Sequence, residues 1–426
     1  MTDADLLITH ASQLCTVPAS NNGPQRGARL GDLGLIQDGA LAVQDGRIVA
    51  IGSTTELCAQ FSAAREIDAT GRAVIPGFVD PHTHVIWAGD RAGEFEMRVA
   101  GKTYMEIMAA GGGIMSTVRA TRVASLDELV AQTKPRLARM LAHGTTTAEV
   151  KTGYGLETAA EIKMFDTIRR LQAEQPIELV PTFLGAHAIP AEYKDRPDAY
   201  VDLLVSEMLP AFSPLSTLHS PLFCDAFCED GAFTLEQTRR ILTRAKELGF
   251  GLKIHVDEFK PLGGSQLGVE LGAISVDHFV TTPPDQVKAV AESDVIAISL
   301  PGTPFGLGHI DYSPARLLLE HGGALALATD CNPGTCWCES MQFVIALACR
   351  YLRLTPAQAL AAATINAAFA IGRGDMVGSL EVGKQADIVI LGAPDYRHLG
   401  YRFGTNLVYI VIKRGRPCEG SEPLQG

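Results

Sequence analysis

Two hydrophobic periods run along this chain, and the places where one gives way to the other divide it into three zones. Residues 5–75 alternate apolar and polar positions in short runs broken by turn residues. The segment 39–52, Gly-Ala-Leu-Ala-Val-Gln-Asp-Gly-Arg-Ile-Val-Ala-Ile-Gly, places Asp45-Gly46 between two such runs. That pair signals a hairpin, because both residues tolerate the positive φ of a tight turn. Segments 383–391 and 406–415 repeat the same grammar near the other end. The two ends are therefore expected to pair into one small β-sandwich, with Ala19–Gly27 (Ala-Ser-Asn-Asn-Gly-Pro-Gln-Arg-Gly) as a flexible insertion in it.

Between the ends, apolar strand-like runs alternate with helical stretches, which implies a parallel sheet with crossover helices. Eight strand candidates end near His84, Lys151, His187, Cys228, His255, His278, Leu300 and Asp330. Helix signals lie between them: a capping box at Ser125–Glu128 before a helix that Gly144 stops, another at Thr234–Gln237 before a helix that Gly249 stops, and an N-cap with following proline at Ser313-Pro314. Such a barrel fills about 250 residues, roughly the span from His82 to Asp330. The expected fold is α/β: a (β/α)8 TIM-like barrel over residues 76–372, with the β-sandwich built from 1–75 and 373–426.

Composition narrows the function. Apolar residues make up 46% of 426 and charged residues 20%, enough for a large core. A net charge of −12 with no Lys/Arg-rich run argues against nucleic acid or an anionic membrane and for a small molecule as the partner. The opening residues carry no basic segment followed by an apolar stretch, and no run reaches the roughly 18 apolar residues of a membrane span, so a cytoplasmic protein is expected. Nine scattered cysteines read as reduced thiols. Cys331, Cys336 and Cys338 cluster, but their spacing matches no common zinc pattern, and packing or loop thiols are the simpler reading.

The chemistry gathers at the strand ends. His82 and His84 are two residues apart after the run Ala73–Asp80, so both rings can face one ion. His255, His278 and Asp330 each end a further strand. A lone strand-end histidine is more often structural than catalytic. Closing eight strands, however, brings the eighth beside the first and gathers all these groups at the mouth, where barrel enzymes keep their active sites. Four imidazoles and a carboxylate together call for a borderline-hard cation, zinc or iron.

These residues carry a family resemblance. Pro76–His84, with the later His, His and Asp, resembles the amidohydrolase superfamily. Phe95–Arg98, Gly101–Tyr104, Ala110–Ile114, Glu149–Gly155 and Ala328–Gly334 resemble the branch that opens the lactam ring of 4-imidazolone-5-propanoate in histidine degradation. The resemblance implies one Zn2+ or Fe3+ per chain, held by His82, His84, His255 and Asp330. It implies substrate contacts from Arg91, Tyr154, His187, Glu258, Asn332, Gly334 and Thr335.

Residue types give roles consistent with this. Asp330 and Glu258 can accept and relay a proton, and His278 can donate to a developing oxyanion or to the leaving nitrogen. Arg91 suits an anionic substrate, since guanidinium grips a carboxylate through two parallel hydrogen bonds. Some two-metal members bridge their ions with a carboxylated lysine on the fourth strand. Lys151 ends the second, so a single-ion centre is expected. Two rivals share the barrel: a nucleobase deaminase, which has little use for a carboxylate clamp, and a non-catalytic assembly protein, which would lack the ligands. A homodimer is the expected assembly, if the chain assembles with itself.

Overall fold

The computed structural model describes residues 1–103, 106–107, 110–215 and 222–418. Tyr104, the last residue of one motif above, lies outside them. Eight parallel strands follow one another without a change of order: Phe78–Asp80, Thr145–Lys151, Glu178–Ala186, Phe223–Cys228, Gly251–Val256, Ser275–His278, Ile296–Ser299 and Ala324–Leu327. The first and eighth meet at their C-terminal ends, where the Asp330 amide donates to His82 O (3.1 Å) and the His84 amide to Cys331 O (3.0 Å). Period-2 alternation assigns the faces. Ala148, Val150, Cys224, Ala226, Leu252, Ile254 and Val256 pack into the large core shared with the helices. Val79, Val180, Phe223, Ile296, Ile298, Ala324 and Ala326 form an apolar floor with Ala367 and Ala368 of the helix Ile365–Phe369. Above that floor the interior turns charged.

Both capping boxes form as their sequences require, opening helices Leu126–Ala142 and Leu235–Glu247. Gly144 and Gly249 beyond them take φ of 97° and 87°, conformations that favour glycine. Ser313 is not the N-cap it resembles. Helix Ala315–Glu320 is capped by Pro314, and Ser313 Oγ instead donates to His278 O at 2.8 Å, tying a loop to the sixth strand.

The chain ends do pair. Val74, Ile75 and Pro76 face Ile390, Val389 and Ile388 in antiparallel register, within a six-stranded sheet drawn from both termini. A four-stranded sheet from the N-terminal part packs on it through Leu6, Ile8, Leu41 and Val43 against Val74, Ile388, Ile390 and Ile412. Asp45 and Gly46, at φ 51° and 72°, turn the hairpin between strands Gly39–Gln44 and Arg47–Ser53.

The insertion 19–27 is anchored, contrary to its loop-like composition. Gln25 is buried; its amide donates to Asn366 Oδ1 (2.7 Å), and Asn366 Nδ2 returns to Gln25 O (2.8 Å) and Leu325 O (2.9 Å). Arg26 Nη2 donates to Ala291 O and Ser293 O at 2.8 and 2.5 Å. Partners hundreds of residues away in sequence hold the segment, which is why its composition misleads. No helix among the described residues is long and apolar enough to cross a membrane.

Replacing Asn366 by Ala strands three buried backbone groups, each costing about 1–3 kcal/mol unless relaxation or water satisfies it. We expect Asn366→Ala to lower unfolding free energy by about 2–4 kcal/mol in urea titration at unchanged slope. A shift under ~0.5 kcal/mol would show that the segment is not a tether.

Candidate active site

His82 and His84 follow the first strand, His255 lies in the fifth and Asp330 lies just past the eighth. The structure brings all four together. His84 Nε2 lies 3.3 Å from His82 Nε2 and 3.4 Å from His255 Nε2, and Asp330 Oδ1 is 3.6 and 3.5 Å from the Nε2 atoms of His82 and His84. Ligands bound tetrahedrally at about 2.0–2.1 Å from one ion stand about 3.3–3.4 Å apart. Nitrogen lone pairs pointed at one another repel unless a cation lies between them, so this donor set fits a bound metal. His278 and Asp330 also form a compact triple with His82.

Electrostatics keep the rings in the neutral state that ligation needs. Burial, reinforced by Lys151 at His82, by His187 at His84 and by His255 at His278, holds these three rings well below the ordinary histidine range. Burial also raises the Asp330 carboxyl to about 6, against the opposing hydrogen bond from Thr303.

Behind these four side chains lies a group to which the sequence assigns no role at the site. His82 Nδ1 donates to Asp277 Oδ2 at 2.6 Å, and His255 Nδ1 lies 2.8 Å from Asp225 Oδ2. Lys151 Nζ sits 2.8 Å from Asp225 Oδ2, 2.9 Å from Glu149 Oε1 and 3.7 Å from Asp277 Oδ2. All of these side chains are fully buried. The signal was present: Glu149 and Lys151, like Lys253 and His255, occupy alternate positions of buried strands.

His278 follows Asp277 directly, and strict alternation would aim one of them outward. His278 escapes through a φ of 74°, and Asp330 reaches the mouth with φ 53°. Left-handed backbone at a non-glycine costs on the order of 1–3 kcal/mol, and such strain concentrates at functional sites.

The other predicted residues surround this centre unevenly. The His187 ring stacks on His84 (centroids 4.8 Å apart, 17° between planes) while its Nδ1 donates to Gly153 O at 3.0 Å. Burial and His255 pull its pKa to about 3. Tyr154 lies 6.0 Å from the His84 ring, its hydroxyl pushed above its ordinary value by burial and by the Asp330 charge. Glu258 Oε2 faces His278 Nε2 at 3.6 Å, and burial followed by the Asp330 charge raises its carboxyl well above the usual range. Glu258 and Thr303 line a cavity of about 440 Å³ with Phe259, Pro304 and His309. Thr303 Oγ1 also donates to Asp330 Oδ2, so the cavity adjoins the centre.

Arg91 precedes helix Ala92–Val99 and donates through Nε and Nη2 to Glu94 Oε2 at 2.9 and 2.8 Å. Its free edge covers Gly334, where a Cβ would fall 2.4 Å from Nη1. Asn332 is committed to its own loop, accepting from the Gly334 and Thr335 amides (both 2.8 Å) and donating to Asp330 O at 2.7 Å. Thr335 Oγ1 joins the same loop network through Asn332 Nδ2, 3.0 Å away. Cys331, Cys336 and Cys338 carry no disulfide, and Cys336 Sγ donates to Thr329 O at 3.1 Å.

Comparison with known proteins bears on this geometry. Residues 73–418 match the amidohydrolase family, and residues 39–61 match the imidazolonepropionase-like composite domain of bacteria. The chain is 60% identical to "Imidazolonepropionase" of Herpetosiphon aurantiacus over 98% of its own length and 97% of the relative's. It is 52% identical to "Imidazolonepropionase" of Chloroflexus aggregans over 98% and 99% of the two chains. Among solved structures it resembles an adenosine deaminase from Xanthomonas campestris with bound zinc (21% identity, TM-score 0.71, 98% and 93% coverage). It also resembles E. coli guanine deaminase (16% identity, TM-score 0.72, 96% and 98% coverage). At those identities the likeness concerns the fold alone.

Purified protein should retain a transition-metal ion through dialysis, and His84→Ala should release it. Undiminished metal content in His84→Ala, measured by plasma emission spectrometry, would contradict the site.

Proposed function

This chain belongs to the amidohydrolase family, within its imidazolonepropionase branch, and on that premise we propose that it hydrolyses the lactam C–N bond of 4-imidazolone-5-propanoate to N-formimidoyl-L-glutamate, the third step of histidine degradation. The full-length likeness to the imidazolonepropionases carries this reading, since the barrel alone serves deaminases equally well. The site groups named above all come from one chain, so a homodimer would not be needed to complete them. The nine free cysteines fit the reducing interior of the cytoplasm.

His82, His84, His255 and Asp330 would hold one zinc or iron ion. Lys151, already committed to carboxylates at the end of the second strand, leaves no bridging ligand for a second ion. Bound there, the ion lowers the pKa of water from about 15.7 toward about 7 and so supplies a nucleophile at neutral pH.

The protein's own groups do the rest. Asp330 Oδ2, steadied by Thr303, takes the proton released as the nucleophile attacks the ring carbonyl. His278, kept neutral by burial, donates a hydrogen bond to the developing oxyanion. Glu258, whose raised carboxyl favours the protonated form and which faces His278, delivers a proton to the departing ring nitrogen. Neutral His187 and Tyr154 offer polar edges to the heterocycle. Arg91 grips the propanoate carboxylate with the guanidinium edge that covers Gly334.

Arg91→Ala should raise KM roughly 10-fold or more, the equivalent of ~1.5–3 kcal/mol for hydrogen bonds to a charged group, with kcat less affected. An unchanged KM removes the clamp. Asp330→Asn should lower kcat by about 10²–10⁴-fold if it handles the proton, and near-normal turnover would exclude that role. Ultraviolet loss of imidazolonepropanoate, run beside other cyclic amides and nucleobases, tests the substrate. Preference for a nucleobase would overturn the assignment.

A further inference from the structure

Two of the three clustered imidazoles have a carboxylate at Nδ1, hydrogen-bonded at His82 and in close approach at His255, and both carboxylates lie near one cation. Asp277 Oδ2 accepts from His82 Nδ1, and its Oδ1 accepts from Ser275 Oγ at 2.6 Å. Asp225 Oδ2 meets His255 Nδ1, and its Oδ1 accepts from the His255 amide at 3.1 Å. Between Asp225 and Asp277 stands Lys151 Nζ, 2.8 and 3.7 Å from them. The His255 Nδ1–Asp225 contact is an approach without hydrogen-bond geometry, and the third ring, His84, has a buried Nδ1 with no hydrogen-bond partner among the described residues.

A carboxylate can hold an imidazole in one tautomer and one orientation only if it is itself held. In a dry interior an ammonium does this from one side, provided its own desolvation is offset by more than one anion. Here burial lowers the Lys151 ammonium, but Asp225, Glu149 and Asp277 more than compensate and leave it above its ordinary value. Lys253 completes the layer, with Nζ donating to Pro81 O at 3.2 Å and lying 3.6 Å from both Glu149 Oε1 and Asp277 Oδ2. Three carboxylates (Glu149, Asp225, Asp277) then face two ammonium groups (Lys151, Lys253). The five-membered cluster is left with one net negative charge, the sign that complements a cation above it.

We infer that Lys151 is a positioning residue for the metal centre: its buried ammonium holds Asp225 directly and, beside Lys253, helps hold Asp277, and through these carboxylates it sets the His255 and His82 rings so that both Nε2 lone pairs point at the ion. The inference rests on the metal site proposed above. It separates from a plain electrostatic role by sign. A positive charge near a cation site weakens binding through space, so an electrostatic role predicts tighter binding when Lys151 is neutralised, whereas a positioning role predicts looser binding.

The test uses the full-length enzyme loaded with cobalt(II). Wild type, Lys151→Met and Lys151→Met/Glu149→Gln are compared, the double variant removing one positive and one negative charge together. Metal transfer to an excess of a chromophoric chelator and the visible cobalt spectrum are read, with circular dichroism as the check on folding. Outer groups that orient ligands typically contribute 10–100-fold to metal affinity. Both variants should therefore release cobalt faster, by about that factor, with an altered cobalt spectrum and a native dichroism spectrum. Wild-type release from the double variant, or slower release from Lys151→Met, overturns the inference. Loss of the fold in both variants also overturns it, by making Lys151 a support of the barrel rather than of the ligands. Failure of the wild type itself to hold cobalt counts against the metal site instead.

Discussion

Three buried imidazoles and a carboxylate aimed at one point, in a place nearly closed to water, make an arrangement suited to a cation. The Nε2 atoms of His82, His84 and His255 and one Asp330 oxygen crowd within 3.6 Å of their neighbours, and burial denies His82 and His84 the protons that would otherwise relieve the repulsion. The barrel is what makes the crowding achievable. Its closure sets Asp330, from the last strand, against His82 and His84, from just after the first, while hydrogen bonds between the same segments lock the seam.

The interior is layered to match. Alanines and branched aliphatics close the floor, acids and lysines fill the middle, and the clustered histidines with Asp330 stand on top. The charged layer is costly to bury, and its members offset one another within a few ångströms. The chain carries a net charge of −12, so a substrate bearing a carboxylate calls for a local cation. On the proposed reading Arg91, braced by Glu94 and packed on Gly334, would provide one, and a Cβ at position 334 would push its guanidinium aside.

Strand count, approximate strand ends and the polar residues that gather at the mouth were legible in the sequence because each depends on local pattern: apolar runs that end in His or Asp, with glycines and capping boxes marking the helices. Pairing of the two termini was legible for the same reason. Where side chains answer to distant partners, the pattern was silent. Asp225 and Asp277 looked like ordinary strand residues, and Lys151 was weighed only as a bridging ligand, until the fold placed all three behind the imidazoles. Gln25 looked like loop and is buried against Asn366. Ser313 looked like a cap and bonds the sixth strand. Asn332 carries a turn signature, and the turn it forms uses most of its hydrogen-bonding capacity, a detail that composition does not reveal.

Anomalous X-ray diffraction from crystals of the purified enzyme, collected across the zinc and iron absorption edges, addresses the central claim without relying on turnover. The account predicts one strong peak per chain, about 2.0–2.2 Å from the Nε2 atoms of His82, His84 and His255 and from an Asp330 carboxylate oxygen. A fully occupied second peak would contradict the single-ion centre, and the absence of any peak among these four side chains would contradict the account as a whole.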